Sequence, residues 1–97
     1  MLFTVNKPSL TSNSLDSVLR IAPKGSSILL YEDGVFIAKD GTKDAPKIKA
    51  ALTDHPFFAL DADLEARGVN KVFKGIKIIS YDGFVELVEK NDVAPWL

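Results

Sequence analysis

Residues 28–41 read ILLYEDGVFIAKDG, an apolar run at Ile28, Leu29, Leu30 and Tyr31 cut off by Glu32, Asp33 and Gly34. The run does not alternate apolar with polar positions. A strand with one face in water would alternate, so this one is expected to be covered on both faces, as in a parallel sheet flanked by helices. The expected strand is 27–31. It leaves two carboxylates and a glycine at its carboxyl end, the edge where open α/β sheets hold their ligands.

The pattern on either side agrees with that reading. Leu2, Phe3, Thr4 and Val5 are β-prone and end at Asn6-Lys7-Pro8, which gives a first strand. The stretch TSNSLDSVLRIAPKG (11–25) then changes period, with Leu15, Val18, Leu19 and Ala22 on one face of a helix. Ser12, Asn13 or Ser14 supplies its cap, and Pro23 with Gly25 closes it. Residues 35–38 fit either a short helix or an extension of the strand. Asp40-Gly41 is a turn, and 46–52 reads as helix with Asp44 as a candidate cap. Phe57, Phe58, Ala59 and Leu60 form a third strand, and DADLEARG (61–68) a short helix closed by Gly68 in the left-handed position. A fourth strand is expected over 76–80. The last helix begins near Asp82, with Phe84, Leu87 and Val88 inward. Pro95 stops it, and Trp96 follows. Strands alternating with helices imply an α/β fold, a small parallel sheet with helices on both faces, in a single domain over 1–97.

Composition narrows the function classes. Net charge is −1, with no lysine or arginine run, which disfavours nucleic-acid binding by this chain alone. There is no cysteine, so no disulfide, thiolate metal site or cysteine-borne sulfur intermediate forms on this polypeptide. No apolar run approaches the ~18–20 residues of a membrane span, and MLFTVNKPSL lacks the regions of a signal peptide. A cytoplasmic protein without direct membrane binding is expected.

Each polar cluster has a chemical and a structural reading. Glu32 and Asp33 are neighbours, so on extended backbone their side chains diverge, which is wrong for a carboxylate dyad sharing one reacting atom. A polar strand exit, with Gly34 allowing an unusual φ, is the expected role. His55, in TDHPFF (53–58), is the only histidine and is expected on an exposed loop. A stand-alone enzyme would have to use Asp33 with His55 as base, and the sequence names no nucleophile beside them. One histidine and no cysteine leave no transition-metal constellation, and no cofactor is indicated. Asp61, Asp63, Glu65 and Arg67 surround Leu64, either as a solvated helix face or as a surface that touches a partner. Trp96, a large apolar residue near the last residue of the sequence, is expected to dock on its own domain or on a neighbour.

Taken in order, LFTVNKP (2–8), NSLDSVLR (13–20), LLYEDGV (29–35) with GT soon after, LDADLEARG (60–68) and YDGFVELV with the final WL resemble the DsrH/TusB family of the DsrE/F/H-like sulfur-relay fold, a flavodoxin-like three-layer architecture. The resemblance implies a subunit of a heterohexamer with TusC/TusD-like (DsrF/DsrE-like) partners, which hands sulfur to a TusE/DsrC-like acceptor. It implies 2-thiolation of the tRNA wobble uridine in the TusBCD version, with weak or no tRNA binding by this chain alone at its net charge of −1, and sulfur oxidation in the DsrEFH version. In both, the principal sulfur-carrying cysteine lies on the DsrE/TusD-type subunit. Many DsrH-type proteins carry a cysteine in the first helix where this chain has Val18, and a histidine where it has Phe3. Both departures resemble the TusB-like branch, whose subunit carries no sulfur. On that reading Glu32, Asp33, Gly34, Asp61, Asp63, Arg67 and Trp96 are contact or strand-edge residues, not catalytic ones.

Overall fold

The four expected strands are β1 (Leu2–Val5), β2 (Ser27–Leu30), β3 (Phe57–Leu60) and β4 (Lys77–Ile79), and a fifth, β5 (Val93–Trp96), follows the last helix. The structure is a computed structural model that describes residues 1–8 and 14–96, the side chains of Ser14, Pro95 and Trp96 excepted. All strands pair in parallel in the order β4-β3-β2-β1-β5. Leu2 stands opposite Ser27 on one side and Val93 on the other. The fifth strand corrects the reading of Pro95 as a helix stop. The sheet admits that proline because β5 is an edge strand, with one side free of ladder bonds.

The helices are α1 (Ser14–Ile21), α2 (Ala45–Ala51), α3 (Asp61–Ala66) and α4 (Tyr81–Lys90), with a 3₁₀ helix over Glu32–Ala38. The chain steps in one direction from β1 to β4, then returns across the sheet to β5. Right-handed crossovers therefore place α1, α2 and α3 on one face and α4 on the other. Packing agrees. Phe3, Val5, Ile28, Leu30, Phe57 and Ala59 form one core cluster with Leu15, Val18, Ile48 and Leu64 from the first three helices. Leu2 and Leu29, which point the other way, are fully buried outside that cluster. Burial of each large aliphatic side chain stabilises the fold by about 1.5–3 kcal/mol, so both faces of the central strands contribute.

Several local expectations hold and others need correction. The apolar stripe of α1 is inward, with Leu15 and Val18 buried and Leu19 and Ala22 half-buried. Of its candidate caps, Ser12 and Asn13 lie outside the described residues. Gly68 closes α3 at φ +67°, a conformation in which a Cβ would crowd the backbone. Asp44 holds the N-cap position of α2 but makes no capping bond. Its carboxylate is buried and lies 4.0 Å from Lys47 Nζ, which also pairs with Asp16 on α1. Ser80 caps α4, its Oγ accepting from the Gly83 N–H at 3.3 Å. No residue of α4 is fully buried, and Val88 is exposed rather than inward. The helix sits on the sheet through Gly83, whose missing Cβ would lie 3.2 Å from Ile79 Cβ.

Candidate functional site

The carboxyl edge of the sheet collects the residues singled out by sequence: Glu32, Asp33 and Gly34 after β2, and Asp61, Asp63 and Arg67 on and after α3. The chain turns here because Glu32 adopts φ +48°, a left-handed conformation rare for a residue with a side chain. This reverses the expected roles of Glu32 and Gly34. The unusual φ belongs to Glu32, and Gly34 is there for space: a Cβ on it would overlap the Val5 carbonyl oxygen and lie 3.2 Å from Asn6 Cα. The same carbonyl accepts from the Tyr31 N–H at 3.1 Å, and the Gly34 N–H donates to the Tyr31 carbonyl at 2.9 Å. The 3₁₀ helix is thereby pressed onto the end of β1.

Asp63 holds the strained residue in place. Its Oδ2 accepts from the Glu32 N–H at 2.7 Å, while its Oδ1 lies 3.5 Å from Arg67 Nη1. Arg67 Nε donates to Asp33 Oδ1 at 2.7 Å. The hydrogen bond to Asp33, with the nearby carboxylates of Asp63 and Glu32, pushes the guanidinium pKa above its ordinary value and fixes its charge. Asp61 is exposed and accepts from the adjacent Ala62 N–H, at 2.6 Å. Glu32 and Asp33 thus do not form a dyad, since Asp33 is engaged by Arg67. At the end of β1, Asn6 Oδ1 is buried without a hydrogen-bond partner among the described residues, a feature with no signature in the sequence.

His55 lies at the other end of the sheet and is not an exposed loop residue. It is 6% exposed, and its Nδ1 donates to the Ser26 carbonyl at 2.9 Å, a bond that ties the entry of β3 to the entry of β2. Register pairs Ile28 with Phe57, so His55 is level with Ser26, and Asp33 lies beyond Leu30. The two are separated by at least about 15 Å along the strands, too far for joint catalysis. Val18 is fully buried on the inner face of α1, and Phe3 is 4% exposed in the same core. Trp96 enters β5 by its backbone, opposite Val5, and its side chain lies outside the description. Among the described residues, no group of three or more His, Cys, Asp or Glu side chains is placed to hold a metal ion. No helix there is long and apolar enough to cross a membrane.

The edge therefore offers carboxylates, one committed guanidinium and a carboxamide, without a thiol or imidazole. That set can bind and orient a partner, but it lacks a nucleophile for sulfur transfer.

Comparison with known proteins agrees with this geometry. Protein TusB of Sodalis glossinidius is 39% identical over 93 residues, and Protein TusB of Serratia proteamaculans 37% over 92, each alignment covering 94% of both chains. Among solved structures, the ychN protein from E. coli matches with a TM-score of 0.85 at 17% identity, over 98% of this chain and 97% of that one. A protein of unknown function from Methanobacterium thermoautotrophicum matches with a TM-score of 0.71 at 15% identity, over 97% and 96%. Identities this low speak for the fold alone. The family model described as DsrH like protein matches residues 7–94, nearly the whole sequence, and on that match the chain belongs to the DsrH-like family.

Proposed function

We propose that this protein is a non-catalytic subunit of a cytoplasmic sulfur-relay complex that serves 2-thiolation of the tRNA wobble uridine. The observation that carries the reading is the absence of cysteine from a DsrH-like chain. Sulfur relays proceed by attack of a thiolate on a neighbouring persulfide, so every station needs a thiol. A chain without one contributes surface and assembly, and the sulfur-carrying cysteine belongs to a TusD-like partner. TusC- and TusD-like subunits complete the heterohexamer, and a TusE-like protein receives the sulfur. The relatives named Protein TusB favour thiolation over the sulfur-oxidation pathway of a DsrEFH-like complex.

The test is made in cells. Deleting the gene should abolish 2-thiouridine at the wobble position, read by mass spectrometry of digested tRNA, and restoring this chain should bring it back. Unchanged 2-thiouridine in the deletion strain would overturn the thiolation reading and leave sulfur oxidation. The purified chain, incubated with a cysteine desulfurase and labelled cysteine sulfur, should carry no covalent label. Native mass measurement of the co-expressed complex checks the heterohexamer.

A further inference from the structure

The near-zero net charge conceals a division that only the fold reveals. Segments 35–52 and 69–77 together hold seven lysines against Asp40 and Asp44, a net of +5, and the remainder of the chain carries −6. The fold brings the two basic segments together. The Asp40 N–H donates to the Lys71 carbonyl and the Phe73 N–H to the Ala38 carbonyl, each at 2.8 Å, and Lys39 bridges Val72 in antiparallel fashion. On α2, the Lys47–Asp16 ion pair marks the side that faces α1, and Lys49 projects from the side away from it.

Lys39, Lys43, Lys49, Lys71 and Lys74 are all exposed, and none has an ion-pair partner among the described residues; Lys77, level with Phe58 on β4, turns to the α4 face, its Nζ 6.0 Å from the Phe58 ring centre. The cations that are paired, Lys24, Lys47 and Arg67, all lie outside this set. Five like charges on adjoining segments without paired counter-charges repel one another, and an anionic partner relieves that repulsion. The surface also carries apolar side chains. Ile78, level with Ala59 and so on the sheet face that α2 covers, is 55% exposed, and Phe36, whose carbonyl accepts from the Lys39 N–H, is 40% exposed.

We propose that this lysine surface is a docking site for an acidic face of another protein. Two features favour a protein over a nucleic acid. The patch contains no arginine, the side chain whose planar fork matches phosphate. It also mixes exposed apolar residues with a charged rim, the composition of protein interfaces rather than of backbone-phosphate contacts. The −6 carried by the rest of the chain penalises a long polyanion but not a partner of local acidic surface.

The experiment titrates the isotopically labelled full chain with short poly-L-glutamate and, separately, with an oligouridylate of the same charge, following backbone amide shifts. Poly-L-glutamate is expected to give saturable shifts confined to residues 39–43 and 71–74. The Lys71→Glu/Lys74→Glu variant should weaken that binding by about tenfold, and the Arg20→Glu/Lys90→Glu variant, with the same change in net charge, by less than about twofold. Lys71→Gln/Lys74→Gln, which removes charge without reversing it, gives a second reading if the reversed pair perturbs the fold. Equal weakening by the two reversed pairs, or absence of saturable shifts, overturns the site. Tighter binding of the oligouridylate at the same residues overturns the protein partner and assigns the surface to nucleic acid.

Discussion

Arg67 Nε lies 2.7 Å from Asp33 Oδ1 and joins the end of α3 to the 3₁₀ helix after β2 across 34 residues of sequence. Asp33 is largely exposed and Arg67 half-buried, so the pair is screened on one side. Arg67→Ala is expected to cost about 1 kcal/mol, a fall in Tm of about 4–8 °C in a domain of this size. Folding raises the guanidinium pKa, so its contribution is complete below the ordinary value of the group. It would be lost only as pH rises through the raised value, beyond any working range. Thermal melts of wild type and Arg67→Ala at neutral and mildly alkaline pH should therefore differ by the same amount.

Asp33→Asn separates the structural role of this carboxylate from a catalytic one. The substitution keeps the size and loses the charge. A general base is worth about 10²–10⁴-fold in rate, so thiolation in cells carrying it should fall by less than about tenfold if Asp33 only pairs with Arg67. Collapse of thiolation in a complex that still assembles normally would reinstate Asp33 as a reacting group.

Gly34→Ala drives a methyl group into the Val5 carbonyl oxygen, a backbone atom that cannot step aside without moving β1. The expected loss is about 3 kcal/mol, measured by urea unfolding. Gly41→Ala is the matched control, since no heavy atom lies within 4 Å of its Cβ position. Its φ of +82° alone sets its cost, about 1–2 kcal/mol. A Gly34 variant no worse than the Gly41 variant would contradict the close approach.

What the sequence disclosed follows from the range of each interaction. Unbroken apolar runs reveal β2 and β3, and spacing reveals α1, because those signals lie within one element. Gly68 is legible because the left-handed position excludes most other residues. β5 is not, since Val93, Ala94 and Trp96 interrupted by Pro95 carry no strand pattern and gain their ladder only from β1. Propensity assigns the left-handed turn to glycine, whereas Asp63, from a distant element, holds Glu32 in it. The burial of His55 depends on the Ser26 carbonyl 29 residues away, and no local pattern encodes that contact.

His55→Ala removes the donor to the Ser26 carbonyl and leaves a void between the entries of β2 and β3. The unpaired acceptor and lost packing should together cost about 2–3 kcal/mol. Urea unfolding of the variant measures this, and thiolation should persist wherever the chain remains folded. Full stability with abolished thiolation would mean that the imidazole does chemistry.

Val18→Cys places a thiol at a fully buried position of α1. A thiol there lies within the apolar core cluster, where burial opposes ionisation and keeps reagents out. Labelling by a thiol reagent should run at least about a hundredfold slower in the native chain than in urea, because it waits for opening of α1. The Val18→Cys variant should also stay free of label when mixed with the desulfurase, while Lys90→Cys, at an exposed position, should react readily with the thiol reagent. Rapid native labelling at position 18 would show that α1 lifts from the sheet at little cost. A cysteine there would then be accessible to thiol chemistry in the folded chain, contrary to the burial of Val18.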